Sequence, residues 1–311
     1  QHMQLKDDDN VLITLPMHFG YCNTAQIISH LLLGGTLVIM DGIFSPHKLL
    51  ASIERYGISV FTAVPTMLHQ ILDFKHSDKY DLSTLHQVTY GGAPFSAQKI
   101  KLLRDKFPDV KFCQTYGLTE AGPRLTAINP QKYNKDDFSV GTPIPNVQLK
   151  IIDEEGTELN INEVGEIIAR SPGVMKGYYT RPEETSKVII NDWLFTGDLG
   201  YFNSEGNLHI VGRRKNIIIR GGVNIYPEEL ENYLSTHPAI KETLVYGIPH
   251  EGLGEKPHAL VVLHFEISEK EILEFCKKGL SKYKIPTIEI VKKLEKTYNN
   301  KIKRVIKDSV R

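Results

Sequence analysis

At 311 residues and 41% hydrophobic content the chain can bury two or more ordinary cores, and its length points to about two domains. Lys+Arg and Asp+Glu both number 37, so no global field draws it to nucleic acid or to an anionic membrane. The basic residues are uneven all the same: Lys277 to Arg311 holds twelve Lys and Arg against three acids, a tail suited to a polyphosphate or to simple solvation.

Cys22, Cys113 and Cys276 are widely spaced, odd in number and free of any C-x-x-C, which points away from a disulfide frame or a zinc site and fits a reducing, cytoplasmic setting. The most apolar stretch, Ile27 to Phe44, is broken by His30, Gly34, Gly35 and Asp41 and falls short of a membrane span. No basic and apolar segment of the export type opens the chain, although it need not begin where the natural protein begins.

In chain order, Asp9 to Pro16 (DNVLITLP) reads as a buried strand, and an apolar helical stretch runs from Thr24 to the stop at Gly34-Gly35. Thr36 to Met40 is a second strand. Ser45-Pro46 then supplies an N-cap and a first-turn proline; Leu49, Leu50, Ile53 and Tyr56 follow at helical spacing, and Gly57 ends the helix. The pattern repeats as strand Ile58–Val64 with helix Thr66–Asp73, strand Gln87–Tyr90 with helix Ser96–Phe107, and strand Val110–Thr115. This alternation predicts a doubly wound, mostly parallel α/β sheet over residues 1–140.

From Asn146 to Arg170 the pattern becomes strand, acidic turn, strand, turn, strand, which predicts a small antiparallel barrel or sheet over residues 141–213. GYYTRPEETSKV, Gly177 to Val188, reads as structural. Residues 214–311 read as a compact α+β domain. Pro227 and Glu228-Glu229 start a helix that ends before Pro238, strands Glu242–Tyr246 and His258–Phe265 flank Gly247–Pro257, and Ser268–Glu271 is a capping box.

Ligands of such sheets bind outside the carboxyl ends of the strands, and two glycine motifs fall there: YGGAP (Tyr90–Pro94) and QTYGLTE (Gln114–Glu120). Glycines allow a flat base near the backbone, Tyr116 offers a ring to stack on, and Thr119 and Glu120 supply hard oxygens for phosphate and Mg²⁺. Farther on, Asp198 follows a Thr-Gly turn, where a carboxylate accepts two bonds from a vicinal diol, and Arg213 follows a strand, where a guanidinium suits a phosphate. Together these suggest a nucleotide. Each feature alone also fits a plain turn, cap or surface pair.

The run WLFTGDLGYFNSEGNLHIVGRRKNIIIRGGVNIYPEELE, Trp193 to Glu231, closely resembles the signature of the AMP-forming adenylating superfamily, which includes acyl- and aryl-CoA synthetases, peptide-synthetase adenylation domains and firefly luciferase. The resemblance implies that Asp198 holds the ribose hydroxyls, that Arg213 contacts the nucleotide, and that Lys215 is the hinge of a swinging C-terminal domain. It also implies that Gly91, Gly92, Ala93, Pro94, Gln114, Tyr116, Gly117 and Thr119 surround adenine and the α-phosphate, with Glu120 at the Mg²⁺. Leu15 to Tyr21 resembles the family's LP-x-x-H element near the acyl carboxylate, and the alignment places either His18 or Phe19 at the reacting phosphate. A core histidine is the other reading of His18. LEKTYNNKIKR, Leu294 to Arg304, resembles LPKTxxGKIxR, so Lys301 aligns with the lysine that enters the site during adenylation, with Glu295 and Asn300 departing from the usual proline and glycine.

The double glycine Gly221-Gly222 and the NIYP that follows look more like a free-standing acyl-CoA synthetase than a peptide-synthetase domain, and glycine there leaves room for pantetheine. The expectation is therefore an enzyme that joins a carboxylic acid to coenzyme A through an acyl-adenylate, using ATP and Mg²⁺. Loading of a carrier protein is the second reading, and a non-catalytic nucleotide-binding remnant the third. A homodimer is an open expectation. The family's phosphate loop has no match in the chain, which reads as a fragment, and the identity of the acid is not legible.

Overall fold

The computed structural model describes residues 2–296 and 302–304. The chain divides into two units, Gln1–Thr196 with Gly200–Ile210, and Gly197–Leu199 with Val211–Arg311.

In the first unit β1 (Asn10–Ile13) pairs in parallel with β2 (Thr36–Ile39) on one side and β3 (Val60–Ala63) on the other, followed by β4 (Gln87–Tyr90) and β5 (Lys111–Leu118). β6 (Gly122–Ala127) and β7 (Thr142–Pro143) complete the sheet antiparallel, in the order β2-β1-β3-β4-β5-β6-β7. The chain reverses direction across the sheet after β2, which makes the fold doubly wound and puts its switch point between the carboxyl ends of β1 and β3.

The connection from β1 to β2 is helical from Gly20 onward: α1 (Gly20–Cys22), a π-helical stretch Asn23–Ile28, and α2 (Ser29–Leu33). It starts four residues before the expected Thr24, and the widened π turns leave no mark in apolar periodicity. α3 (Pro46–Tyr56), α4 (Pro65–Asp73) and α5 (Ala97–Lys106) link the remaining parallel strands and pack against one another in series. Ser45 and Ser96 cap α3 and α5, accepting the Lys48 and Lys99 N–H groups at 3.3 and 3.4 Å. Their inner faces join Val11, Leu12, Ile53, Leu68, Val88 and Leu103 in one core.

The antiparallel part of the chain forms a five-stranded sheet from β8 (Gln148–Ile152), β9 (Gly165–Arg170), β10 (Ile189–Ile190), β11 (Trp193–Phe202) and β12 (Leu208–Arg213), in the order β10-β11-β9-β8 with β12 also on β11. The strand expected between the acidic turn and Asn162 is reduced to the single bridge Ile152–Glu158. GYYTRPEETSKV folds as a loop entering α6 (Pro182–Val188).

The second unit carries β13 (Ile218–Arg220), β14 (Val223–Ile225), α7 (Pro227–Leu234), β15 (Ile240–His250), β16 (Gly254–Leu263), α8 (Glu269–Gly279) and β17 (Thr287–Ile290). Its sheet order is β14-β13-β16-β15, with β17 parallel to β16. Gly247–Pro257 was expected as a connection, yet it extends the two strands into one long hairpin in which Gly247 pairs with Pro257 and His250 with Gly254. Continuous antiparallel pairing along the hairpin sustains strand through glycine and proline that local propensity disfavours, with β15 at the sheet edge where proline is tolerated. The capping box of Ser268 and Glu271 forms as expected. Among the described residues no helix is long and apolar enough to cross a membrane.

Burial ranks the apolar side chains for mutation. Leu125 is 0% exposed and Leu32 is 81% exposed. Leu125→Ala is expected to cost about 3 kcal/mol, by lost transfer energy plus the cavity left behind, whereas Leu32→Ala stays within about 0.5 kcal/mol. Urea unfolding of both variants checks this.

Candidate active site

The glycine motifs of the first unit meet because β5 changes partner. Lys111 to Gln114 pair in parallel with β4, and Thr115 to Leu118 pair antiparallel with β6, with an irregularity between Tyr116 and Leu118. Gln114 to Leu118 of the QTYGLTE motif therefore lie inside a strand that runs to Leu118, not one that stops at Thr115 as expected, and Thr119 and Glu120 follow in the turn. A Cβ at Gly117 would stand 2.5 Å from the Pro123 carbonyl, and one at Gly91 would stand 2.6 Å from Thr115 O. Both positions admit only glycine, because two backbones touch there. Tyr90, fully buried, donates its hydroxyl to Gln114 Oε1 (3.1 Å) and fixes that side chain. Gly92 and Pro94 are exposed, Ala93 is half-buried, and Tyr116 is wedged between two apolar clusters.

Thr119 is exposed at the turn after β5. Glu120 accepts the Tyr178 hydroxyl on Oε1 at 3.0 Å, and its carbonyl accepts the Met175 N–H at 2.7 Å. Burial, followed by the hydrogen bond and charge of Glu120, raises the Tyr178 pKa. GYYTRPEETSKV thus supplies a partner for the proposed metal carboxylate, a role that its helix-start pattern hides. Among the described residues no three His, Cys, Asp or Glu cluster as a metal cage. Glu120 alone fits an ion that draws most of its oxygens from phosphate and water, as Mg²⁺ does. His18 is exposed, its ring edge-on to Phe19 at 4.5 Å, so it is not a core residue.

Three residues on, Tyr21 brings its hydroxyl to 2.8 Å from Thr115 Oγ1. Burial raises the Tyr21 pKa, while the charge of Arg124 and the Thr115 bond lower it.

In the second unit Asp198 is 4% exposed and takes Arg213 Nε on Oδ1 at 2.7 Å, so the two expected nucleotide residues are brought together. Lys215 is exposed in the 3-10 turn Arg214–Asn216. Gly221 (φ +57) and Gly222 (φ +80) form the two-residue loop of the β13–β14 hairpin. Both central residues of such a loop need positive φ, which by itself accounts for the double glycine. Lys301 lies outside the described residues.

The sequence missed a charge cluster in this unit. Arg304 holds Glu231 with both terminal nitrogens, Nη1 to Oε1 at 2.9 Å and Nη2 to Oε2 at 2.7 Å, and approaches Glu228 at 3.3 Å. Val245 N–H also donates to Glu231 (2.8 Å), and Asn216 Nδ2 donates to Glu228 (2.9 Å). Burial pushes the Glu231 carboxyl up to about 7, against the downward pull of Arg304 and Val245. Other cations of the basic tail are paired too: Lys284 with Glu229 and Lys296 with Glu242, each at 2.6 Å.

A doubly wound sheet with glycine motifs at its strand ends, followed by antiparallel strands and a small α+β unit, is the fold of an α/β adenylating enzyme. The model of the AMP-binding enzyme family matches residues 1–179, and that of the AMP-binding enzyme C-terminal domain matches residues 229–301. The chain belongs to this family. It is 31% identical over 304 residues to a long-chain-fatty-acid–CoA ligase of Escherichia coli O157:H7, covering 97% of this chain and 54% of the relative. It is 36% identical over 309 residues to a 4-coumarate–CoA ligase of Pinus taeda, covering 97% and 57%. The o-succinylbenzoate CoA synthetase of Bacillus subtilis, solved with an acyl-adenylate intermediate, superposes with a TM-score of 0.88 at 32% identity, covering 99% of this chain and 62% of that one. The same enzyme solved with ATP and magnesium ion gives a TM-score of 0.87. The chain thus spans little more than half the length of these relatives.

Arg304→Met is expected to destabilise the second unit by about 3 kcal/mol at about pH 8, because it strands a buried carboxylate. The loss shrinks near pH 5. Glu231 binds its proton more tightly folded than unfolded, so the stability the proton confers is fully present below the unfolded value and is lost as pH rises through the folded one. Urea midpoints of both proteins at the two pH values check the difference.

Proposed function

We propose that the protein containing this chain is an AMP-forming acid–CoA ligase. A substrate carboxylate oxygen attacks the α-phosphorus of ATP, the bond to the β-phosphate oxygen breaks, and pyrophosphate leaves. The thiol sulfur of coenzyme A then attacks the acyl carbon, AMP leaves, and the thiol proton passes to solvent. The observation that carries this reading is the pairing of buried Asp198 with Arg213 inside the family's TGD…GRRK signature, in a chain whose relatives are named as CoA ligases.

In this reading Asp198, an acceptor-only carboxylate held in place by Arg213, takes the ribose hydroxyls. The backbone at Gly91-Gly92, open at Gly92, and the ring of Tyr116 receive the adenine. Thr119 hydrogen-bonds phosphate, and Glu120, held by Tyr178, holds the divalent ion. Mg²⁺ bound there offsets phosphate charge that would repel the incoming carboxylate. His18 or Phe19 borders the reacting carboxylate, and Lys301 stabilises the charge that develops between carboxylate and α-phosphate. Lys215 is the hinge about which residues 214–311 turn between the two half-reactions, with residues 1–140 and 141–213 as the two parts of the large domain. Gly221-Gly222 leaves the thiol arm a close approach to backbone.

ATP–pyrophosphate exchange against a panel of carboxylic acids tests the first step. Exchange that depends on one acid and falls at least about a hundredfold in Asp198→Ala and in Lys301→Ala is expected, about 2.7 kcal/mol of transition-state stabilisation each. No exchange with any acid, by this chain or by the full-length protein, sinks the reading. Thioester formed on a carrier protein but not on free coenzyme A would move the acceptor to the carrier.

A further inference from the structure

Arg124, on β6, is a partly buried cation with no carboxylate counter-charge among the described residues. Its Nε is enclosed and has no hydrogen-bond partner. The groups that act on its charge are Tyr21 and Cys113, neither of them a carboxylate, and burial lowers its pKa. A guanidinium nevertheless stays protonated, so the positive charge is permanent. Arg104 in the same unit, whose Nε is equally unpartnered, shows what a structural arginine looks like here. Its terminal nitrogens reach the carbonyls of Lys135, Asp137 and Phe112, and its guanidinium lies over the rings of Tyr133 and Phe138. No such set surrounds Arg124.

Its position is informative as well. The Arg124 backbone N is 2.8 Å from where a Cβ of Gly117 would stand, so it backs directly onto the Tyr116–Glu120 motif. Tyr21 is charge-coupled to Arg124, bonds Thr115, and brings its hydroxyl to 3.3 Å from a Cβ placed at Gly91. The Arg124 backbone therefore adjoins one glycine motif and the Tyr21 hydroxyl the other, and the charge of the guanidinium is felt at that hydroxyl. The neighbouring His30 adds no charge. Its Nδ1 is 2.7 Å from the Gln26 carbonyl, which can only accept, and burial lowers its pKa.

We infer that Arg124, with the Tyr21 hydroxyl beside it, receives a second anionic group on the acid substrate, at the end remote from the carboxyl that is adenylated. The substrate class is a dicarboxylic acid or an acid with a comparable second anion, rather than a plain fatty or aryl acid. This rests on the adenylating reading above.

The test is ATP–pyrophosphate exchange with matched acids, succinate against butyrate and terephthalate against benzoate, for wild type, Arg124→Met and Arg124→Lys. In wild type kcat/KM favours the dianion at least about tenfold, as expected for a hydrogen bond to a charged group. Arg124→Met removes that preference and Arg124→Lys restores part of it. A wild-type preference for the monoanion, or an equal fall for both acids in Arg124→Met, overturns the inference. If no acid supports exchange, the adenylating reading fails separately and ligand-observed NMR decides. Succinate then binds wild type more tightly than butyrate does and loses that advantage in Arg124→Met; equal binding of the two acids overturns the inference. Circular dichroism confirms that each variant is folded, and Tyr21→Phe, which removes only a hydroxyl, serves if Arg124→Met is not.

Discussion

The first unit depends on one constraint, the change of partner along β5. A strand that begins parallel to β4 and ends antiparallel to β6 must lie against two backbones within eight residues, and the sheet closes around it only where Gly91 and Gly117 carry no Cβ. The same close packing lies at the carboxyl ends of β4 and β5, where doubly wound sheets bind ligands. Fold and site thus use the same glycines, and a larger residue at either would push the strands apart before it touched any ligand.

Buried charge is handled in three ways. Arg104 spends its terminal nitrogens on backbone carbonyls and ties α5 to the loop before β7. Arg304 spends its own on Glu231 and Glu228, joining the segment at residues 302–304 to α7. Its pKa is raised although burial alone would lower it, while that of Glu231 is raised by burial despite the pair. For both partners the contact favours the charged form, and burial outweighs it only at Glu231. The bidentate geometry, with Val245 N–H as a further donor, favours the ionised pair. Arg124 alone of the three has no such partners among the described residues, and the difference follows from who stands around it rather than from the residue type.

Much of the chain is legible locally. Ser45-Pro46 before an apolar 3.6 repeat, Ser268 three residues before Glu271, and strand–helix alternation up to β5 each reflect interactions that span at most a few residues. Glycine motifs after predicted strands were legible for the same reason, as was Asp198 after its Thr-Gly turn. The extension of β5 to Leu118, the long β15–β16 hairpin and β17 were not, because their pairing comes from partners elsewhere in the chain.

The sequence by itself determined the fold class, the order of the elements and the residue types set at the strand ends, since those follow from periodicity, caps and turns. The tertiary structure decided that Tyr178 bonds a glutamate 58 residues away, that Arg304 pairs with a glutamate 73 residues away, and that Arg124 meets no carboxylate among the described residues. Side-chain partnership across such separations depends on which strands and helices pack side by side, and local spacing carries no record of that.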